Sequence, residues 1–170
     1  TLPDEIGEAI RQSLDDDGLQ SLENTLSFPE DSAGRLMETE AIAIRSDITL
    51  ETVLRFLRIR ESIPDHTDGL MVIDRQRVFQ GELPISDLLT GNPNALVQDM
   101  MDKEALYVTP TTTQRELAIM FRDLDLVSIA VVDNEGVLLG RVTLDDMLDI
   151  MHEEADHQIL GAVGLDEDED

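Results

Sequence analysis

Two stretches of this chain follow one pattern, Gly140-Arg141-Val142-Thr143-Leu144-Asp145-Asp146-Met147-Leu148 and Gly81-Glu82-Leu83-Pro84-Ile85-Ser86-Asp87-Leu88-Leu89. An apolar strand that ends in aspartate precedes each of them, Ala130-Val131-Val132-Asp133 in the later copy and Met71-Val72-Ile73-Asp74 in the earlier one. Before that strand, each copy has a helical segment and a short alternating strand, Ala105–Val108 or Ala41–Ile44. Leu36–Leu89 (repeat 1) and Met100–Leu148 (repeat 2) are therefore two copies of an internal repeat, which predicts half-domains that bury their apolar faces against one another and leave a cleft between them.

Each repeat also carries the signals of a capped helix and a β-hairpin. Thr113 and Glu116 have the spacing of a capping box, in which the Thr oxygen accepts from the Glu116 amide and the Glu side chain reaches back to the cap. Thr49 occupies the capping position in repeat 1. The segment Asp133–Gly136 is typical of a hairpin turn between two apolar strands. Each repeat is therefore expected to be β-α-β-β-α, and the fold class to be α+β.

Composition excludes several classes of protein. The chain has 170 residues, of which 41% are apolar, so it is long enough for a real core and is not a disordered acidic chain. It contains no Cys, which excludes disulfides, thiolate metal sites and Cys nucleophiles. No apolar run approaches the roughly 18–20 residues that span a bilayer, and no signal peptide is visible. Because the chain begins at Thr1 and stops in an acidic run, we expect it to be part of a longer protein.

The formal net charge of -26 restricts the partners. Nucleic acid and anionic lipid are disfavoured, because both need clusters of Lys and Arg that this sequence lacks. From Asp123 to Asp170 the sequence has fifteen carboxylates and a single Lys or Arg, which is Arg141. Two interpretations stay open: a solvated acidic surface or linker, and a surface whose self-repulsion is relieved by divalent cations.

The repeat pattern resembles the cystathionine-β-synthase (CBS) domain pair over Gly34–Ile150. Its most specific part is Gly140–Asp146, which fits that family's Gly-x-apolar-Thr/Ser-x-x-Asp element. A narrower resemblance is to MgtE-type magnesium transporters: Pro29–Met37 is similar to the segment that joins their N-terminal helical domain to the CBS pair, and Thr143–Ile150 with the segment after it is similar to their second CBS helix and connecting helix. The resemblance implies a tandem CBS-domain pair with an N-terminal helical remnant and a C-terminal connecting helix.

The same resemblance implies a division of the chain and a setting for it. Residues 1–33 would be a helical remnant and linker, 34–92 CBS repeat 1, 93–152 CBS repeat 2, and 153–170 an acidic connector toward a membrane domain. Asp4–Leu26 has the apolar spacing of a helix, which agrees with the first assignment. The implied protein is a homodimeric Mg²⁺ channel or transporter, with this region on the cytoplasmic face of the inner membrane, in contact with its own helical and transmembrane domains.

The resemblance also implies metal ligands. Asp146, Asp149 and Glu154 fall on acidic positions that help bind Mg²⁺ in the family, and Asp125 matches another. Glu116 lies beside a further ligand position. Glu30 and Asp31 fall where the helical domain would meet the CBS pair. We take Asp31 as a further candidate ligand for Mg²⁺.

The chemistry of an acidic stripe supports a Mg²⁺ site independently. On a helix from Thr143 onward, one face carries acids at i, i+3, i+7 and i+10: Asp146, Asp149, Glu153 and Asp156. Mg²⁺ prefers oxygen ligands and keeps several waters. Each like-charge pair without a nearby cation costs the helix roughly 0.2–0.5 kcal/mol, and a purely structural helix would usually interleave cations. We therefore expect several Mg²⁺ ions per protomer, bound with millimolar affinity, to close a sensor that carboxylate repulsion otherwise opens.

The rival ligand is ATP or another adenine nucleotide. By the resemblance, Thr143 would lie near phosphate and Asp146 on the ribose, with Arg141 and Arg122 as the nearest cations. Repeat 1 has Pro84 at the Thr position, so at most one cleft fits. Alternatively, Thr143 and Asp146 together form an ordinary helix cap.

Catalysis has no support in the sequence. His66, His152 and His157 are scattered, and no Ser/His/Asp order, Gly-rich phosphate loop or zinc spacing is present. We therefore predict that the chain is not an enzyme. A passive acidic assembly domain remains the third interpretation beside the Mg²⁺ sensor and the nucleotide module.

Overall fold

A computed structural model describes residues 28–153. The elements follow in chain order: α1 Ala33–Leu36, β1 Ala43–Arg45, α2 Leu50–Ile59, β2 Gly69–Ile73, β3 Phe79–Pro84, α3 Ile85–Thr90, α4 Val97–Met100, β4 Tyr107–Val108, α5 Gln114–Leu124, β5 Ser128–Val132 and β6 Leu138–Thr143. Residues 144–153 are helical and are called α6. The predicted helix at Asp4–Leu26, the predicted ligand Glu154 and the connecting segment lie outside the described residues.

The two repeats form two sheets of the same topology. In each sheet the first strand is parallel to the second, and the second is antiparallel to the third: β1-β2-β3 in repeat 1 and β4-β5-β6 in repeat 2. The central strands β2 and β5 are buried along their whole length. This arrangement matches the predicted α+β order, with strands β1 and β4 shorter than the sequence indicated.

The helix caps form as the sequence predicts. The Thr113 side chain accepts from the Glu116 amide at 3.2 Å, and the Glu116 carboxylate accepts from the Thr113 amide at 3.0 Å. Thr49 accepts from the Thr52 amide at 3.2 Å. These caps satisfy amides that the first helical turn leaves without partners, and they fix where α2 and α5 begin.

The segment that opens each repeat packs on the other repeat. Ala33 and Met37 lie in the apolar cluster of repeat 2, with Leu117, Phe121 and Val142. In the same way, Val97 lies in the cluster of repeat 1. Backbone hydrogen bonds fix these positions, from Ala33 N to Thr112 O at 2.8 Å and from Val97 N to Ile48 O at 2.8 Å. Each sequence repeat therefore completes the core of its neighbour.

A third apolar cluster joins the two sheets. Its buried members come from β2, β5 and β6: Met71, Ile73, Ala130 and Leu138. Nearby, the hairpin ends pair, since Phe79 N donates to Gly136 O at 2.9 Å and Leu138 N donates to Arg77 O at 3.0 Å. The repeats thus share one interface, as expected for half-domains that cannot close a core alone. Within residues 28–153, no helix is long and apolar enough to cross a membrane.

Candidate functional site

Arg141 is a buried cation between the two repeats. It lies in β6 and is 2% exposed. Its guanidinium donates to the carbonyls of His66 at 2.9 Å and Asp65 at 2.8 Å, both in the loop that precedes β2 of repeat 1. Its third neighbour is the Glu38 carboxylate, 3.6 Å away. Arg141 therefore fastens a loop of repeat 1 to the sheet of repeat 2.

Two carboxylates meet beside this guanidinium. Burial raises the pKa of Glu38, and the charge of Asp146 and a hydrogen bond with it raise the pKa further, while Arg141 lowers it. Arg141 Nε and Asp146 Oδ2 are buried and have no hydrogen-bond partner among the residues that the structure describes. Buried polar atoms without partners are uncommon in folded proteins, so this pair of atoms marks a place where a ligand or water could complete the hydrogen bonding.

An acidic cleft of about 490 Å³ lies next to this pair. It is lined by Met37, Glu38, Thr39, Glu40, Pro64, Asp65, His66 and Asp145. The His66 imidazole lies 3.7 Å from the Asp145 carboxylate, so residues from both repeats meet at the opening. We call this space the inter-repeat cleft. It agrees with the sequence-based expectation of a cleft between two repeats.

Thr143 acts as a helix cap. It is buried, and its hydroxyl oxygen accepts from the Asp146 amide at 3.3 Å. This is the structural role that the sequence allowed as the alternative to phosphate binding. Thr143 and Asp146 are therefore close together at the first turn of α6, with the cleft residue Asp145 between them in the sequence.

The acidic stripe is formed on α6 as far as the described residues extend. Asp149 and Glu153 are exposed, Asp146 is half-buried, and the segment 144–153 contains no Lys or Arg. Met147 and Ile150, which lie on the side of α6 next to Asp146, are buried. Leu148 on the same helix is 44% exposed.

The remaining metal candidates are dispersed. Glu116 is occupied by the capping box described above. Asp125 follows α5 in the left-handed conformation, with φ 51° and ψ 44°. Asp31 is exposed, and its carbonyl accepts from Gln114 N at 2.8 Å. Within residues 28–153, no three Asp, Glu or His side chains come together closely enough to hold a metal ion. The described fold thus brings Asp146 near Glu38 and leaves the other candidate ligands apart.

Sequence reasoning missed Glu38 and Glu40 and treated Arg141 only as a possible phosphate contact. One signal could have identified Glu38. An acid follows a Met at the same point of each repeat, as Met37-Glu38 and as Met101-Asp102. The partner of that acid could not be read from the sequence, because it lies far away along the chain.

Comparison with known proteins agrees with the fold and the repeat. Residues 97–153 match the CBS domain family. The magnesium transporter MgtE of Thermus thermophilus is 36% identical over 160 residues, which are 93% of this chain and 36% of that protein. The chain thus spans about a third of the length of that relative.

Solved structures give the same result. The cytosolic domain of the Mg²⁺ channel MgtE in complex with ATP superposes with a TM-score of 0.70 at 37% identity, covering 77% of this chain and 53% of that one. The CBS pair of the putative Mg²⁺ transporter SO5017 from Shewanella oneidensis has a TM-score of 0.72 at 20% identity, with 90% and 88% covered, and shows the likeness of the fold. The chain therefore belongs to the CBS-domain family, as a CBS-domain pair of the kind found in MgtE magnesium transporters.

Proposed function

We propose that this chain is the Mg²⁺-sensing regulatory region of a magnesium transporter or channel. The observation that carries the proposal is the α6 stripe: Asp149 and Glu153 are exposed beside half-buried Asp146, on a helical segment without Lys or Arg. Carboxylates held in this way repel one another and offer the oxygen ligands that Mg²⁺ prefers. The region would lie at the cytoplasmic face of the inner membrane, joined to a helical domain and a transmembrane domain.

In the proposed mechanism, bound Mg²⁺ closes the sensor and restrains the segment that follows α6, which gates the pore. Two carboxylates 4 Å apart repel by about 1 kcal/mol in water and about 4 kcal/mol at a partly shielded interface. Moving a two-state equilibrium from 1:99 to 99:1 takes about 5.5 kcal/mol. One ion on one pair of acids is too weak for this, so several ions must act together. Since no three acids or histidines within residues 28–153 come close enough to hold a metal ion, ligands from Glu154 onward, from another domain or from a second protomer would complete the sites.

We also propose that the sensor is a homodimer. Leu89 on α3 and Leu148 on α6 occupy equivalent positions in the two repeats, and they are 68% and 44% exposed. A second copy packing on these two helices would remove both apolar side chains from water, which supports the proposal.

The sensor proposal predicts a Mg²⁺-specific compaction that depends on α6. We expect small-angle scattering to show a smaller radius, and thermal melting a higher Tm, as MgCl₂ rises to about 20 mM, compared with NaCl of equal ionic strength. The double variant Asp149→Asn/Glu153→Gln should lose most of this response. Asp146 is left intact in this variant because it is half-buried beside Glu38, so that only exposed acids are changed.

The matched control is Glu104→Gln/Glu135→Gln, which removes two exposed acids elsewhere and changes the net charge equally. It should respond to Mg²⁺ as the wild type does. An equal response to NaCl, or equal loss in both double variants, would show simple charge screening and would contradict the proposal.

We propose a second candidate function, the binding of an adenine nucleoside or nucleotide in the inter-repeat cleft. Its support is that Arg141 Nε and Asp146 Oδ2 are buried and have no hydrogen-bond partner within residues 28–153. Glu38, which is the ion-pair partner of Arg141, and Asp145, which precedes Asp146, line a cleft of about 490 Å³. The carboxylate oxygen can accept from a ligand hydroxyl, and Nε–H can donate to a ligand oxygen. The similar MgtE cytosolic domain was crystallised with ATP. Four acids line this cleft, however, and would repel phosphate groups: Glu38, Glu40, Asp65 and Asp145.

This second candidate predicts that adenosine and AMP raise the Tm, and that ATP without Mg²⁺ raises it less, because the acidic lining repels its greater charge. A ligand at a hundredfold excess over its Kd stabilises a protein by about 2.7 kcal/mol. Asp146→Asn should abolish the shift, whereas Asp87→Asn, at the equivalent position of repeat 1, should retain it. The absence of a shift with all three ligands would reject the candidate.

A further inference from the structure

Glu82 and Arg141 occupy equivalent positions in the two repeats and carry opposite charges. Glu82 follows a glycine in β3, and Arg141 follows a glycine in β6. The backbone of each forms two hydrogen bonds with the backbone of an acidic residue that belongs to the other repeat. Glu82 pairs with Asp102, with N···O distances of 3.1 and 2.7 Å. Arg141 pairs with Glu38, at 2.9 and 2.7 Å. The two junctions are therefore alike in their backbones and opposite in their central charge.

The two junctions differ in how their charge is balanced. At the Arg141 junction, the guanidinium neutralises the acid across from it. At the Glu82 junction, both of the paired residues are acids, and a third acid, Asp68, faces Glu82 as well. The charged groups that face Glu82 are Asp68 from the segment before β2, Asp102 from the segment after α4, and Arg141 from β6. Within residues 28–153, one cation, Arg141, thus balances the three carboxyl groups of Glu82, Asp68 and Asp102, and it is also the ion-pair partner of Glu38.

The position of the Glu82 side chain limits how far water can screen this excess of negative charge. Its carboxyl group lies directly over Gly69 at the start of β2, where an added Cβ would collide with Oε1. The residue is half-buried between the strand and the Asp102 segment, so water screens its charge only in part.

We propose that Glu82 is a proton-responsive switch at the junction of the two repeats: the neutral acid packs over Gly69 and keeps the Asp102 segment docked on β3, and the ionised acid loosens that docking. A proton on Glu82 removes negative charge from its junction, as the guanidinium of Arg141 neutralises Glu38 at the other junction. The switch is independent of the Mg²⁺ stripe, since none of the facing groups is one of the predicted metal ligands.

The pH range follows from the environment of Glu82. Burial, and then the charges of Asp68 and Asp102, raise the pKa of Glu82 from 4.5 to about 7, against the lowering effect of Arg141. Because the folded pKa is raised, the neutral form is favoured by folding. Its stabilisation is fully present below pH 4.5 and is lost as the pH rises to about 7 and above. The junction is thus expected to be tight in mildly acidic solution and looser above neutral pH.

Carboxyl ¹³C NMR on the full 170-residue chain tests the proposal directly. One glutamate resonance should titrate with a midpoint near 7, and it should be absent from Glu82→Gln. The same samples give amide exchange for Glu82 and Asp102, whose reciprocal hydrogen bonds report the docking. Protection of these two amides, corrected for the intrinsic rate, should fall at least several-fold between pH 6 and pH 8 in the wild type and stay constant in Glu82→Gln.

Glu135→Gln, an exposed glutamate in the hairpin turn, is the matched control and should behave as the wild type. Asp102→Asn should move the Glu82 midpoint to lower pH, because it removes one of the facing charges. If Glu82→Gln does not fold, the wild-type titration and the Asp102→Asn shift decide the question. A Glu82 midpoint between 4 and 5, or a fall in protection that persists in Glu82→Gln, would overturn the proposal.

Discussion

Replacing Arg141 by methionine is expected to lower the free energy of unfolding by about 3 kcal/mol. The change removes two hydrogen bonds to the carbonyls of Asp65 and His66, and it leaves the Glu38 carboxylate without its cation. Breaking a fully buried ion pair from one side costs about 3–5 kcal/mol. The lower end applies here because the Glu38 side chain is 43% exposed and water can solvate it in part.

In a protein of this size the loss corresponds to a fall in Tm of about 6–12 °C, measurable by calorimetry. Arg122→Met is the control, because Arg122 is exposed and its ion pair is with its neighbour Asp123. That variant should change the stability by no more than about 0.5 kcal/mol. A Tm for Arg141→Met within about 2 °C of the wild type would mean that the guanidinium does not fasten the repeats.

The same change should raise the affinity of the inter-repeat cleft for cations, which links this arginine to function. With the guanidinium gone, the cleft retains four acids and no buried counter-charge. Arg141 thus supplies a buried positive charge beside this acidic cleft.

Local features of this fold could be predicted from the sequence. The Thr113–Glu116 capping box and the Asp133–Gly136 turn depend on neighbours within a few residues, so their residue types are sufficient to identify them. The end of α5 shows the limit of this reasoning. Leu124 continues the apolar spacing of that helix, but it is 50% exposed because the helix ends there and Asp125 turns the chain away.

The exchange of opening segments between the repeats could not be predicted. Met37 and Met101 are each followed by an acidic residue. This local sequence does not indicate whether each methionine packs in the core of its own repeat or in that of the other repeat. The choice is made by contacts that are distant along the chain, such as those of Ala33 with residues around Thr112. The predicted division into residues 34–92 and 93–152 therefore describes the sequence repeats, whereas each hydrophobic core contains residues from both sides of that division.

The candidate ligands show how one carboxylate can satisfy two patterns. Glu116 fits a capping box and an acidic ligand position, and in the described fold the cap holds it. Asp146 fits a helix cap, a ribose contact and an acidic stripe, and its contact with Glu38 adds a fourth role. Such residues can be found from sequence, but their use depends on which partner the fold brings close.

Gly140→Ala is expected to be the second most disruptive substitution, with a loss of about 3 kcal/mol, the upper end for overpacking. An added Cβ at Gly140 would lie 2.5 Å from the Glu38 carbonyl oxygen and 3.3 Å from Met37 Sδ. The first contact is with backbone, which cannot rotate away as a side chain can. The chain must therefore part the Glu38–Arg141 backbone pair, displacing the segment after α1 from repeat 2.

Amide exchange gives this experiment an internal control, because the other repeat contains an equivalent pair. In Gly140→Ala, the amides of Glu38 and Arg141 should lose protection, while those of Glu82 and Asp102 should keep it. Equal loss at both pairs would mean that the fold melts as one unit, and unchanged protection at both would mean that the close approach at Gly140 is relieved elsewhere. Loss confined to Glu38 and Arg141 would establish that each repeat is held to the opening segment of the other by its own junction. It would also explain how a change of charge at one junction, by a proton at Glu82 or a ligand beside Glu38, can loosen that junction without loosening the other.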